Sequence, residues 1–152
     1  MLSSLYISNY ALIDELEINF DQGFTILTGE TGAGKSIILG ALSLILGERA
    51  EIRSIRNKDA KTVVEATFDL THFSELGDFF TANSIDFFEK ECIVRRELSP
   101  SGRSRAFIND TPVNVSILKE LTSQLIDIHS QHSNMLLSSA HFQLSVLDHI
   151  AG

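Results

Sequence analysis

Eight residues constrain this chain more than any others: Gly29-Glu30-Thr31-Gly32-Ala33-Gly34-Lys35-Ser36, a G-x-x-x-x-G-K-[ST] run. Glycines at these positions let the backbone curl around an anion with several N–H groups pointing inward. The short apolar run Phe24-Thr25-Ile26-Leu27-Thr28 precedes it and reads as a buried strand. A helix is predicted from Lys35 to Leu46, with Ile37, Ile38, Ala41, Leu42, Ile45 and Leu46 at helical spacing and Gly47 as its stop. Strand, loop and helix in this order form a phosphate loop. The helix points its positive dipole end at the bound phosphates. Lys35 supplies a full charge to the β and γ phosphates, and Ser36 offers a hydroxyl to Mg²⁺. The cofactor-binding candidates are therefore Gly29, Glu30, Thr31, Gly32, Ala33, Gly34, Lys35 and Ser36, with a nucleotide's phosphates and Mg²⁺ as ligands.

The remaining pattern describes one α/β unit of 152 residues. Strands are predicted at 2–8 and 12–20, with Asn9-Tyr10 as the turn between them and Asp21-Gln22-Gly23 as the next turn. A further strand is read at 62–70 and a helix at 72–82 with Phe73, Leu76, Phe79 and Phe80 inward. Strands at 91–98 and 104–109 are joined across Ser99-Pro100-Ser101-Gly102-Arg103. A helix at 115–124 uses Ile117, Leu118 and Leu121. Leu125-Ile126-Asp127-Ile128 reads as a short strand, and a last helix runs over 139–150. The ten phenylalanines are assigned to the core, Pro100 and Pro112 to turns, and Cys92 to a buried, inert position.

Composition excludes several classes. Hydrophobic residues make up 43% and charged residues 21%, which argues against disorder. No apolar run is long enough to span a bilayer, the start lacks a signal-peptide pattern, and a lone cysteine fits a reducing compartment. The expected location is the cytoplasm, with no membrane contact. The net charge is −8, from 12 Lys+Arg against 20 Asp+Glu, so a generally DNA-coating surface is not expected. The bases are clustered, however. Arg49, Arg53, Arg56, Lys58 and Lys61 form one group, and Arg95, Arg96, Arg103 and Arg105 another. Both read as solvated faces with local ion pairs, against the sharper alternative that one cluster touches a phosphate backbone.

A hydrolytic phosphate-loop enzyme also needs an acidic residue at the end of a second apolar strand. Asp127 and Glu89 follow only two apolar residues each, so that half of a site is not found. His129 and His132 have i, i+3 spacing, but a zinc site needs three or four ligands, and the reading is set aside.

Several segments together resemble the RecN family of SMC-like, ABC-class ATPases of bacterial DNA repair. They are Leu5-Tyr6-Ile7-Ser8-Asn9-Tyr10-Ala11-Leu12-Ile13, the run Phe24–Ser36 with its Glu30-Thr31 pair, and Leu46-Gly47-Glu48-Arg49-Ala50. Gly102-Arg103-Ser104-Arg105-Ala106-Phe107-Ile108-Asn109 and Asp127-Ile128-His129-Ser130-Gln131-His132 complete the set. The resemblance implies a P-loop NTPase fold of ABC/SMC type, a partial head with an antiparallel β portion beside a mixed core sheet. It implies that 1–152 is the N-terminal lobe of a head, ending where a coiled coil begins. The acidic strand and the signature run would then lie in a C-terminal lobe. It further implies activity in double-strand break repair and recombination, DNA as a partner, a head-to-head homodimer in the ATP state and nucleoid association.

Gln131 takes the family's Q-loop position, with Lys35 as a catalytic residue and Ser36 and Gln131 as Mg²⁺ ligands. Arg103 and Arg105 match a family arginine segment, with nucleotide and DNA both open as their target. The departures are Ser130 and Glu48 where the family favours Gly, and Ser133 where it often has Glu. An ABC transporter-type ATPase is the alternative, but its Gln usually lies much nearer the phosphate loop, whereas Gln131 stands 95 positions after Ser36. Two others are a self-contained small P-loop kinase and a non-catalytic module that kept the loop. An incomplete core sheet would expose an edge or apolar face and favour self-association.

Overall fold

A computed structural model describes residues 1–28 and 32–128, with residues 32 and 33 described by their backbone alone. Alternating apolar and polar residues produce six strands: β1 (Leu2–Tyr10), β2 (Ile13–Asn19), β3 (Thr62–Phe68), β4 (Cys92–Leu98), β5 (Ser104–Ile108) and β6 (Thr111–Val113). They form one sheet in the order β2-β1-β3-β4-β5-β6, with every pairing antiparallel. This is the expected antiparallel β portion. Three helices accompany it: α1 (Gly32–Ile45), α2 (Gly77–Ala82) and α3 (Val115–Leu125).

The pleat sorts residues between two faces. Leu5, Ile7, Val64, Ala66, Val94, Ala106 and Ile108 point inward and are buried with Ala41, Ile45, Leu118 and Leu121 of the helices. Phe80 joins them from α2 and meets Phe79 edge-on at 5.7 Å. The other face carries a row of cross-strand neighbours, Glu17, Tyr6, Glu65, Arg95, Phe107 and Pro112. Arg95 is its hub. It pairs with Asp110 at 2.8 Å and Glu65 at 3.3 Å, and its guanidinium lies 4.7 Å from the Phe107 ring centre. Burial pulls the Arg95 pKa down, and the bonds to Asp110 and Glu65 more than restore it, leaving it raised.

Several expectations are corrected. Residues 24–28 are not a buried strand: the segment is irregular, with Phe24 90% and Ile26 68% exposed. An apolar run becomes a strand only when a neighbour accepts its backbone hydrogen bonds. Among the described residues none pairs with it in a ladder. Phe24 and Phe88 therefore stand outside the core assigned to the phenylalanines. Residues 126–128 form no strand, since α3 runs through Leu125 and Ile126 still donates to the Thr122 carbonyl.

The first turn lies at Ala11-Leu12 instead of Asn9-Tyr10, because β1 continues to Tyr10. Asn9 holds a positive φ of 54° within the strand. Its side chain compensates by donating to the Asn57 and Ala60 carbonyls at 2.9 Å each and accepting from the Asn57 N–H at 2.6 Å. The helix at 72–82 is a 3-10 turn, Ser74–Leu76, followed by the six-residue α2. Pro112 sits in β6, an edge strand, where its missing N–H costs no ladder bond. The helix predicted at 139–150 lies outside the described residues. No helix among the described residues is long and apolar enough to cross a membrane.

Candidate functional site: the phosphate-loop helix and its supports

Helix α1 starts at Gly32, three residues before the predicted Lys35, so the last glycines of the motif belong to its first turn. That turn contains no acidic residue, so none of its own side chains offsets the positive end of the helix dipole. Gly34, Lys35 and Ser36 are exposed there. A Cβ at Gly34 would meet nothing within 4 Å. Lys35 has no ion-pair partner among the described residues. Gly29, Glu30, Thr31 and Gln131 lie outside the described residues, as do His129, His132 and the side chain of Ala33. The structure thus brings Lys35 and Ser36 together on one helical turn. No group of three His, Cys, Asp or Glu side chains able to hold a metal occurs among the described residues.

Three contacts hold α1 in place. Gly40 faces Tyr10, and a Cβ there would stand 2.8 Å from the Tyr10 hydroxyl, so only glycine permits this approach. The Tyr10 pKa is raised by burial and by the nearby Glu51 carboxylate. At its far end α1 closes in a Schellman turn: Glu48 N–H donates to the Ser43 carbonyl at 3.0 Å and Gly47 N–H to that of Leu44 at 3.1 Å. Gly47 takes φ +84°, the left-handed conformation this turn requires. Third, Arg96 on β4 is 4% exposed and reaches the end of α1, where Nη1 donates to the Leu44 carbonyl at 3.1 Å and Nη2 to Ser104 Oγ at 2.7 Å. Arg96 has no carboxylate partner among the described residues. Burial lowers its pKa, and the negative end of the helix dipole partly offsets that cost.

Sequence reasoning assigned Arg96 to a solvated basic cluster. The signal against that was present, because Cys92, Val94, Arg96 and Leu98 occupy one face of an alternating strand and all four are buried. Arg103 and Arg105, the matched arginine segment, lie on the β4–β5 hairpin beside Lys61 and line a cavity of about 290 Å³ with it.

A phosphate-loop motif at the start of a helix that packs on a β-sheet defines a class, and comparison with known proteins agrees. The chain belongs to the AAA domain family, whose model matches residues 4–147. It is 44% identical to the DNA repair protein RecN of Vibrio cholerae and 40% identical to that of Bacillus subtilis, each over all of this chain. The RecN resemblance read from the sequence is therefore borne out. The chain spans about a quarter of the length of these curated relatives, 27% and 26% respectively.

Solved structures share the fold. A chain from work on the ATP-driven dimerization and DNA-stimulated activation of SMC ATPases superposes with a TM-score of 0.64 at 20% identity, covering 98% of each chain. An Smc head bound to the C-winged helix domain of ScpA gives 0.65 at 22% identity, covering 86% of this chain and 42% of the other. The recombination mediator RecF gives 0.60 at 14% identity, covering 78% and 29%. The fold is that of a P-loop ATPase head.

Proposed function

We propose that this chain is the N-terminal, nucleotide-binding lobe of an SMC-like ATPase acting in DNA double-strand break repair and recombination. The observation that carries the reading is the first turn of α1. An exposed lysine and an adjacent hydroxyl stand at a helix N-terminus free of acidic residues. The RecN relatives supply the biological setting.

In this reading the backbone of Gly29 to Gly34 cradles the phosphates of ATP, and Lys35 meets the β and γ oxygens. The Ser36 hydroxyl and the Gln131 amide oxygen would hold Mg²⁺. The donor set suits that ion, since Mg²⁺ takes oxygen ligands and keeps waters. When bound, it neutralises charge on the phosphates. Among the described residues no acidic group stands in the first turn of α1 to act as a base there. The base is assigned to a C-terminal lobe, which would also cover the apolar side chains of Phe24, Ile26 and Leu27. Two heads would pair across bound ATP, act on DNA, and work in the cytoplasm at the nucleoid.

Mg-ATP turnover by the chain alone and mixed with a separately made C-terminal lobe tests this. Turnover should appear only in the mixture and vanish with Lys35→Ala. Robust turnover by the chain alone would point instead to a self-contained phosphate-loop kinase or hydrolase.

A further inference from the structure

The two ends of the β4–β5 hairpin carry opposite charge, and each exposes one large apolar side chain. Where β4 begins and β5 turns into β6, a cavity of about 370 Å³ is lined by Phe88, Lys90, Glu91, Ile93, Asn109 and Asp110. Asn109 ties its walls together: Nδ2 donates to the Asp86 carbonyl at 2.7 Å, and Oδ1 accepts from the Ile93 N–H at 2.9 Å. Phe87 turns toward the core, 5.0 Å from Phe80, whereas Phe88 stays 54% exposed at the cavity. Asp86, Glu89 and Glu91 are exposed and form no ion pair among the described residues. Lys90 is the one base among them, so this end is acidic.

The opposite end is the hairpin tip. A Cβ on Gly102 would stand 3.1 Å from Ile52, so the loop after α1 and the tip form one surface. Ile52 is 51% exposed there, in a 3-10 turn that also carries Arg53. Arg53 is held by Glu51. Arg49 and Arg103 are exposed and form no ion pair among the described residues. The seven residues of β4 separate the two ends by about 20 Å at ~3.3 Å per residue, so one molecule cannot bring its own two ends together.

We infer that the Phe88 cavity of one copy receives the Ile52 loop of a second copy, joining copies end to end. Ile52 would supply the apolar anchor for Phe88 and Ile93. Arg49, Arg53 and Arg103 would face Asp86, Glu89 and Glu91, an opposite-charge match that also steers the approach. A second copy is the occupant because the complementary surface stands on this same chain. Pairing like ends would oppose acid to acid or base to base, which disfavours an isologous contact at either end. The contact is heterologous, so each joined pair keeps one free cavity and one free loop and can be extended. It uses no residue of the phosphate loop and does not rest on the nucleotide reading. It also differs from a pairing driven by the exposed Phe24 and Ile26.

The test is sedimentation velocity of the chain without nucleotide. A small contact of this kind is weak, so protein concentration is raised to about 1 mM. The wild type should sediment faster as concentration rises, and should return to monomer when salt is raised from about 50 to 500 mM. Two double variants disable one end each: Ile52→Asp with Arg53→Glu at the loop, and Phe88→Ser with Glu91→Lys at the cavity. Each alone should stay monomeric over the same range. Their equimolar mixture should form a dimer and nothing larger, because one intact loop meets one intact cavity. That rescue also shows that both variants are folded. A monomeric wild type would overturn the contact, as would a mixture that stays monomeric. Either variant associating like the wild type would also overturn it, and would assign self-association to another surface such as Phe24 and Ile26. Lys35→Ala should associate like the wild type, and loss of association there would overturn the inference in favour of pairing through the phosphate loop.

Discussion

Arg96 donates to the Leu44 carbonyl at 3.1 Å and so fastens the end of the phosphate-loop helix to the centre of the sheet. The same carbonyl also accepts the Gly47 N–H that closes the helix. A single backbone oxygen thus joins the stop of α1 to β4, and through Arg96 to Ser104 on β5. Any shift of α1 along its axis must break or drag this contact.

Replacing Arg96 separates its charge from its volume. Burying a cation costs several kcal/mol, and two charge-assisted hydrogen bonds of about 1.5–3 kcal/mol each roughly offset it. Arg96→Met, which keeps most of the stem, should leave unfolding stability within about 1 kcal/mol of the wild type. Arg96→Ala should cost about 3 kcal/mol by opening a cavity. Urea unfolding of both variants checks this, and a large loss in Arg96→Met would show the bonds to outweigh the burial cost.

Gly40 and Tyr10 should be energetically coupled. Alanine is favoured over glycine inside a helix by about 0.8–1 kcal/mol. At Gly40 that gain is opposed by the 2.8 Å contact with the Tyr10 hydroxyl. Gly40→Ala alone should not stabilise the fold. In a Tyr10→Phe background, where the nearest ring atoms stand 3.8 Å away, it should stabilise by about 0.5–1 kcal/mol. A double-mutant cycle measures this, and simple additivity would count against the contact.

Asn9 should resist replacement for two separable reasons. Asn9→Gly keeps the positive φ but loses the bonds to Asn57 and Ala60, which should cost about 2 kcal/mol. Asn9→Ala should cost about 1 kcal/mol more, because a Cβ without a compensating polar side chain disfavours that conformation. Thermal or urea unfolding would rank the three proteins, and equal losses in both variants would remove the conformational part.

Cys92 carries a pH signature. Burial pushes its thiol from 9.0 up to about 12. The folded state therefore holds the proton more tightly than the unfolded state. Its share of stability is complete below pH 9 and is lost as pH rises from 9 toward about 12, by at most about 1.4 kcal/mol per pH unit. Stability curves of the wild type and Cys92→Ala should converge over that window, with the Tyr10 contribution common to both. The same thiol should stay unlabelled by iodoacetamide at pH 8 until the chain unfolds.

Much of this molecule was legible in its residues. The alternation at 62–68, 92–98 and 104–108 marked β3, β4 and β5, and Ser99-Pro100-Ser101-Gly102 marked their hairpin. The spacing of Ala41, Leu42 and Ile45 and the glycine at 47 marked α1 and its end. These features are local: period, turn chemistry and left-handed backbone need only a few neighbouring residues. The phosphate-loop motif is equally plain as a sequence pattern, because backbone wrapping requires glycines at fixed positions.

What depended on distant partners was not legible. Phe24 to Thr28 has the composition of a strand, yet strand formation needs a neighbouring ladder, and none of the described residues provides one. Arg96 reads as one more surface base until the sheet register turns it inward toward Leu44. Lys61 and Arg105 lie in separate charge clusters until β4 places Glu97 between them. Sequence by itself determined the elements whose signals are local, β3, β4, β5 and α1, because those follow from short-range sterics and hydrogen-bonding capacity. Only the tertiary structure decided which charges are buried, paired or left free, because desolvation and Coulomb attraction depend on groups that the chain brings together from far apart.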